Sequence, residues 1–144
     1  MQNTKIVIGS DHGGFEYKEE IKKYLLEKGY KIIDVGTNSK EACDYPVFAK
    51  EAAQKIINGE ADKGILICGT GIGMSITANK FKGIRAALCG DTFSAHATRA
   101  HNNSNILCLG ERVIGLGLAL DIVNTWLNTD YEGGRHQKRI DMIE

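Results

Sequence analysis

The sequence predicts an α/β protein built on a five-stranded parallel sheet, and three observations carry that expectation. Short runs rich in β-branched residues alternate with longer amphipathic ones, the pattern of β-α units that lay helices on a parallel sheet. The third short run, Gly64-Ile-Leu-Ile-Cys68, is apolar throughout, as a strand covered on both faces must be. A chain of 144 residues, 42% hydrophobic and 25% charged, has the composition of an ordinary globular domain that buries a core without disulfides or a structural metal. One domain over residues 1–144 is expected.

Five β-α units follow in order. Lys5 to Ile8 reads as the first strand, and Tyr17, Ile21, Tyr24 and Leu25 recur on one face of a helix that Gly29 closes. Lys31 to Val35 is the second strand. The loop after it carries Asp44 and Tyr45, and Pro46 sits where a helix begins, with Phe48, Ala52 and Ile56 on one side and Asn58-Gly59 as the stop. The strand from Gly64 to Cys68 belongs at the middle of the sheet, and Gly-Thr-Gly-Ile-Gly-Met-Ser turns the chain into a helix reaching about Lys80. Arg85 to Leu88 and Ile106 to Leu109 are the last strands. Between them lies a helix capped by Asp91 or Thr92 and carrying His96 and His101. A long final helix is expected over about Gly115 to Asn128, followed by a basic segment, 131–144, too polar to be core and too short to be a second domain.

Composition excludes several function classes. Eighteen Lys and Arg balance eighteen Asp and Glu, so no net field concentrates a polyanion, and a nucleic-acid role is not expected. The longest apolar stretch, Val113 to Leu120, contains two glycines and stops at Asp121, far short of the roughly 20 residues that cross a bilayer. The opening Met-Gln-Asn-Thr-Lys-Ile-Val-Ile-Gly has neither a basic leader nor a cleavable apolar core, which points to the cytoplasm. Cys43, Cys68, Cys89 and Cys108 make no Cys-x-x-Cys pair. They read as free thiols, mostly small core residues, and not as zinc ligands or a redox dithiol. The four histidines are separated and make no recognisable metal motif, so no metal or cofactor is expected.

In open parallel sheets ligands bind outside the carboxyl ends of the strands, where helix N-termini converge. Asp11-His12, Asp44-Tyr45, Cys68-Gly-Thr-Gly and Arg112 follow four different strands, so four polar clusters share that edge. Gly69, Gly71 and Gly73 directly after a buried strand allow successive backbone N–H groups to point at one anion, although a glycine turn also serves close strand–helix packing. Met74 replaces the third glycine of the dinucleotide fingerprint, and no Gly-Lys-Ser/Thr completes a P-loop. Cys68 ends its strand where the dipole of the following helix favours a thiolate, able to serve as base or nucleophile. His101 ends its helix and reads equally as a surface helix-end histidine. Arg135 and Arg139, four apart, share a helical face and with Arg112 suit a phosphate, or else form a solvated tail.

The motifs Gly-Ser-Asp-His-Gly-Gly-Phe, Gly-Thr-Asn-Ser, Asp-Tyr-Pro, Ile-Leu-Ile-Cys-Gly-Thr-Gly-Ile-Gly-Met-Ser, Gly-Ile-Arg-Ala-Ala, Ala-His-Asn-Asn-Ser-Asn and Tyr-Glu-Gly-Gly-Arg-His-Gln-Lys-Arg-Ile run in order along essentially the whole chain. Together they resemble the B-type ribose-5-phosphate isomerases, a family that includes allose-6-phosphate and galactose-6-phosphate isomerases. The resemblance implies a metal-free aldose–ketose isomerase of the pentose phosphate pathway's non-oxidative branch. It implies a three-layer α/β/α Rossmann-like fold, working as a homodimer or dimer of dimers with active sites at the subunit boundary. By the same likeness Cys68 moves the proton, His101 with Asp11 opens the furanose ring, and Thr70 assists at the sugar oxygens. Backbone from Gly69 through Gly71 and Ile72 to Gly73 holds the enediolate oxygen. His12, Arg112, Arg135 and Arg139 hold phosphate, and Asp44, Tyr45 and Asn102 line the sugar site. The family's other branch has serine in place of the cysteine and a glutamate four residues on; here that position is Ile72, which places the sequence in the cysteine branch.

Two other readings compete. A thiolate beside an N–H nest also suits a cysteine hydrolase or acyl transferase using Cys68 and His101. The glycine turn with Asp91 suits a nucleotide or flavin binding module, which leaves Cys68 and the three arginines without a role.

Overall fold

In a computed structural model that describes residues 3–143, five parallel strands lie in the order β2-β1-β3-β5-β4. Residues 1, 2 and 144, at the ends of the domain and basic segment expected from the sequence, lie outside the described residues. The strands are β1 (Lys5–Ser10), β2 (Lys31–Asp34), β3 (Lys63–Cys68), β4 (Ala86–Leu88) and β5 (Ile106–Gly110). Helices α1 (Phe15–Glu27), α2 (Tyr45–Ile57), α3 (Ile72–Ala78), α4 (Thr92–Asn102) and α5 (Leu116–Leu127) follow them in turn, with α6 (Arg135–Asp141) last.

Alternation along each strand sorts the side chains into two cores. Ile6, Ile8, Ile65, Ile67, Leu107 and Leu109 meet α1, α4 and α5 through Ile21, Leu25, Ala95, Ile122 and the fully buried Trp126. Val7, Leu66, Ile106 and Cys108 meet α2 and α3 through Ala49, Ala52, Ala53, Met74 and Ala78. Helices thus cover both faces, giving the three layers expected, with β3 at the centre between β1 and β5. No helix among the described residues is long and apolar enough to cross a membrane.

The caps explain where helices begin and stop. Asp91, in extended backbone, accepts the Ser94 amide at 2.6 Å on Oδ1 and opens α4, as an N-cap acid should. Gly29 and Gly59 take the positive φ that ends α1 and α2. Two corrections concern α3 and the C-terminal segment. The helix after the glycine turn ends at Ala78, short of Lys80. The basic segment is also not wholly surface: it forms α6, which buries His136 and Ile140. Ile140 supplies the apolar contact, while a hydrogen-bonded partner for the His136 ring offsets the cost of burying it.

Candidate active site

Every strand points its carboxyl end to the same edge, and β3 delivers Cys68 there at its last position. Cys68 is 5% exposed and lines a cleft of about 430 Å³ together with Asp11, Tyr45, Gly69, Thr70, Ile72, Gly73, Ile76 and Arg112. The turn that follows is shaped around the sulfur. Gly71 adopts φ +80°, and a Cβ there would lie 2.6 Å from Leu88 Cδ1, so only glycine fits. In that conformation its N–H donates to Cys68 Sγ at 3.1 Å, and a donor aimed at sulfur stabilises negative charge forming on it. A Cβ on Gly73 would collide with the Tyr45 ring, which is how α2 brings Tyr45 over the first turn of α3. Among the described residues the amides of Gly69, Thr70 and Gly73, all of them in the cleft lining, have no acceptor.

The other walls come from neighbouring strands. Asp11, buried, accepts the Gly13 amide at 2.9 Å and caps the 3-10 turn His12–Gly14. His12 is exposed and its Nδ1 accepts the Cys43 amide at 3.2 Å, which fixes the proton on Nε2 and leaves that N–H to donate outward. Asp44 precedes α2 without capping it by its side chain, so its carboxylate is not committed to the helix. After β5, the Glu111 amide donates to the Cys68 carbonyl at 2.9 Å and the Arg112 amide to the Gly69 carbonyl at 3.0 Å. Those bonds lay the Arg112 stem across Gly69, whose Cβ position is 3.3 Å from Arg112 Cδ. Glu111 accepts the Tyr17 amide at 2.9 Å, and burial pushes its carboxyl above the usual range.

His101, Asn102, Arg135 and Arg139 are elsewhere. α4 runs back against the strands, so its end lies at their amino edge. There Asn105 accepts the Gly64 amide at 2.8 Å and Arg85 Nε donates to the Asn102 carbonyl at 3.0 Å. The Glu132 amide donates to the Ala100 carbonyl at 3.0 Å, tying α6 and its arginines to the same edge. From Gly64 to Cys68 the strand alone spans roughly 13 Å, so within one chain His101 does not reach the sulfur. Arg112 is likewise at the opposite edge from Arg135 and Arg139, and the three do not cluster in one chain.

What the histidine finds instead is not anticipated by the sequence reading. His101 stacks on His136 with ring centroids 4.4 Å apart, and Glu132 Oε1 lies 3.1 Å from His136 Nε2 and 3.9 Å from His101 Nε2. The i, i+4 spacing of Glu132 and His136 was visible in the sequence; their meeting with His101 was not. Ile76 is the other residue missed, and its place one turn after Ile72 is the signal that puts it on the cleft wall.

Residues 6–143 match the sequence profile described as Ribose/Galactose Isomerase. The chain belongs to that family. It is 53% identical over 139 residues to ribose-5-phosphate isomerase B of Escherichia coli, covering 96% of this chain and 93% of the relative. The solved ribose-5-phosphate isomerase B of Clostridium thermocellum superposes with a TM-score of 0.97 at 54% identity, over 97% of this chain and 95% of that one. The enzyme from Mycoplasma genitalium, solved with bound ribulose-5-phosphate, gives 0.93 at 43% identity, over 97% and 93%. Membership makes the chain an isomerase, and the cleft around Cys68 is the candidate for the family's chemistry.

Proposed function

We propose that the chain interconverts D-ribose 5-phosphate and D-ribulose 5-phosphate through an enediolate, with Cys68 as the proton carrier. The observation that carries this reading is a cysteine lining an open cleft, its sulfur bonded by one backbone amide and the residue bordered by others whose amides lack acceptors. Once the furanose is open, the Cys68 thiolate takes the proton from the second carbon and returns it to the first. The proton on the second oxygen passes to the first by way of the Thr70 hydroxyl. The aldehyde becomes a primary alcohol, the adjacent carbinol becomes a ketone, and no redox partner is consumed. Negative charge gathers on the carbonyl oxygen between the two transfers, and amides from Gly69 to Gly73 meet it. A prearranged donor of this kind is worth about 3 to 4 kcal/mol to the transition state. Asp44 and Tyr45 border the sugar, Asp11 takes part in ring opening, and His12 and Arg112 bind phosphate, whose grip orients the reacting carbons.

Ring opening by His101, sugar contact by Asn102 and phosphate contact by Arg135 and Arg139 require a second copy of the chain. The surface supports that requirement. A groove of about 580 Å³ runs from Leu88 and Phe93 to Asn102 and Ser104. A second depression carries Ile72, Leu88 and Val113 up to Thr70. Exposed Ile72, Leu88, Phe93 and Val113 make an apolar flank between the two half-sites, beside the unpaired edge of β4. A two-fold partner laid antiparallel on that flank sets the amino edge of one chain against the carboxyl edge of the other, joining His101 of one copy to Cys68 of the next.

In deuterated water, Cys68→Ala is expected to abolish exchange at the second carbon while binding sugar phosphate nearly as tightly as the parent, since the base is lost and the phosphate contacts stay. Full exchange in that variant ends the assignment. Ribose 5-phosphate is expected to give the highest kcat/KM when assayed beside allose 6-phosphate and galactose 6-phosphate; a higher value for either hexose reassigns the substrate without touching the chemistry.

A further inference from the structure

We propose that His101, Glu132 and His136 form a binding site for a divalent transition metal, Zn²⁺ being the ion that suits them, and that the bound ion inhibits the enzyme. One donor atom from each residue lies within 4.8 Å of the others. The two imidazoles are stacked so that each brings Nε2 toward the same carboxylate oxygen, at 3.1 and 3.9 Å. Two imidazole nitrogens and a carboxylate oxygen are a zinc-type set, with bonds of about 2.0 to 2.2 Å and a fourth position left for water. Closing the donors onto an ion requires small rotations, which the half-exposed His101 and Glu132 side chains permit. His136 is held more firmly, its side chain 8% exposed. The backbone under the set is also fixed: Glu132 is tied to Ala100, and His136 sits in the first turn of α6.

The neighbourhood sets the strength. Arg135 precedes His136 and Arg139 lies one turn on, so a cation binds against their charge and more weakly than the same donors would hold it alone. The inhibitory half rests on the ring-opening role proposed for His101; the site itself rests only on the geometry. A metal on His101 Nε2 occupies the lone pair that would take or return the ring proton.

Titration of the full chain with Co²⁺, a spectroscopic stand-in for Zn²⁺, is expected to give visible ligand-field bands that saturate at one ion per chain and are displaced by Zn²⁺. Glu132→Gln, an exposed and near-isosteric change, and His136→Asn are each expected to weaken binding at least about tenfold. Cys68→Ala leaves it unchanged. Absence of saturable binding, binding unaltered in Glu132→Gln, or binding that disappears with Cys68→Ala each overturns the site. Zn²⁺ is further expected to inhibit aldose conversion in the parent, reversibly by chelator, at the concentrations that fill the site. Full turnover with the site filled overturns the inhibition. If His101→Ala also turns over normally, the failure belongs to the ring-opening role and not to the metal site.

Discussion

Four thiols share this chain and each meets a different environment. Burial pushes Cys89 up to about 11, and full burial beside two other thiols pushes Cys108 higher still. Both are therefore protonated and shielded at neutral pH, and the thiol form is a poor nucleophile. Cys43 is half-exposed, while Cys68 borders the cleft with an amide bonded to its sulfur. Treatment with iodoacetamide is expected to inactivate the enzyme in step with modification of Cys68 mapped by mass spectrometry, with sugar phosphate slowing both. Cys89 and Cys108 stay unmodified until the protein unfolds. Inactivation that follows Cys43 with Cys68 untouched contradicts the assignment. Gly71 tests the same sulfur from the backbone side. Its positive φ and the nearby Leu88 methyl make Gly71→Ala cost about 1 to 3 kcal/mol, seen as a lower denaturation midpoint. Because the strain moves the amide bonded to Cys68, kcat is expected to fall in the refolded variant as well. A variant with parental kcat removes that amide from the mechanism.

Individual elements were legible wherever a local signal fixes them. Asp91 before a polar helix, Pro46 opening another, and glycines at 29 and 59 gave starts and stops within about three residues, because caps act through the adjacent turn alone. The limits of that reading lie where tertiary contacts decide. α6 forms around an apolar residue, Ile140, and a histidine, too few for a periodic pattern to register. Lys18 is another case: on α1 it is fully buried, with Nζ 2.6 Å from Asp34 Oδ2 and 2.8 Å from Glu19 Oε2, while Lys22 reaches the same Asp34 oxygen at 3.0 Å. Nothing in an isolated lysine announces a buried ion pair. Burial pushes the Asp34 carboxyl up, but hydrogen bonds from Lys18, the Gly36 amide and Lys22 outweigh it and hold the group below its ordinary 3.8. With the folded value below the unfolded one, the pair's contribution is complete above 3.8 and is lost as pH falls through the depressed folded value. Asp34→Asn leaves the buried Lys18 with only the half-exposed Glu19 as counter-charge and is expected to cost about 3 kcal/mol at neutral pH, the low end for breaking a buried pair. Denaturant titrations from about pH 6 down to pH 2 are expected to show a smaller acid loss in the variant than in the parent. Parallel curves for the two proteins exclude the pair as a source of acid sensitivity.

At the scale of the whole molecule, the sequence placed one half of the candidate site and could not place the other. Cys68 ends a strand and Asp11, His12, Asp44, Tyr45 and Arg112 follow one, and parallel pairing alone carries them to one edge. His101, Asn102, Arg135 and Arg139 sit at the far edge because α4 must return the chain before β5 can begin, a consequence of topology that residue spacing does not contain. The separation makes the proposed dimeric site testable without a structure of the assembly. Under the proposed roles Cys68→Ala lacks the proton carrier and His101→Ala the ring opener, so each variant alone is expected to be nearly inactive on the aldose. Suppose both are mixed in equal amounts and allowed to exchange subunits. In a two-fold dimer with exchanged contributions, the heterodimer holds one site with both lesions and one with an intact cysteine from one chain and an intact histidine from the other. Random pairing makes half the dimers mixed, and half of their sites are whole, so about a quarter of parental activity returns. If each chain completed its own site, every site in the mixture would keep one lesion and activity would stay at the level of the separate variants. Recovery that grows with the time of subunit exchange, followed by a coupled turnover assay, therefore supports a shared site, and its absence under verified exchange returns His101 to the surface of its own chain.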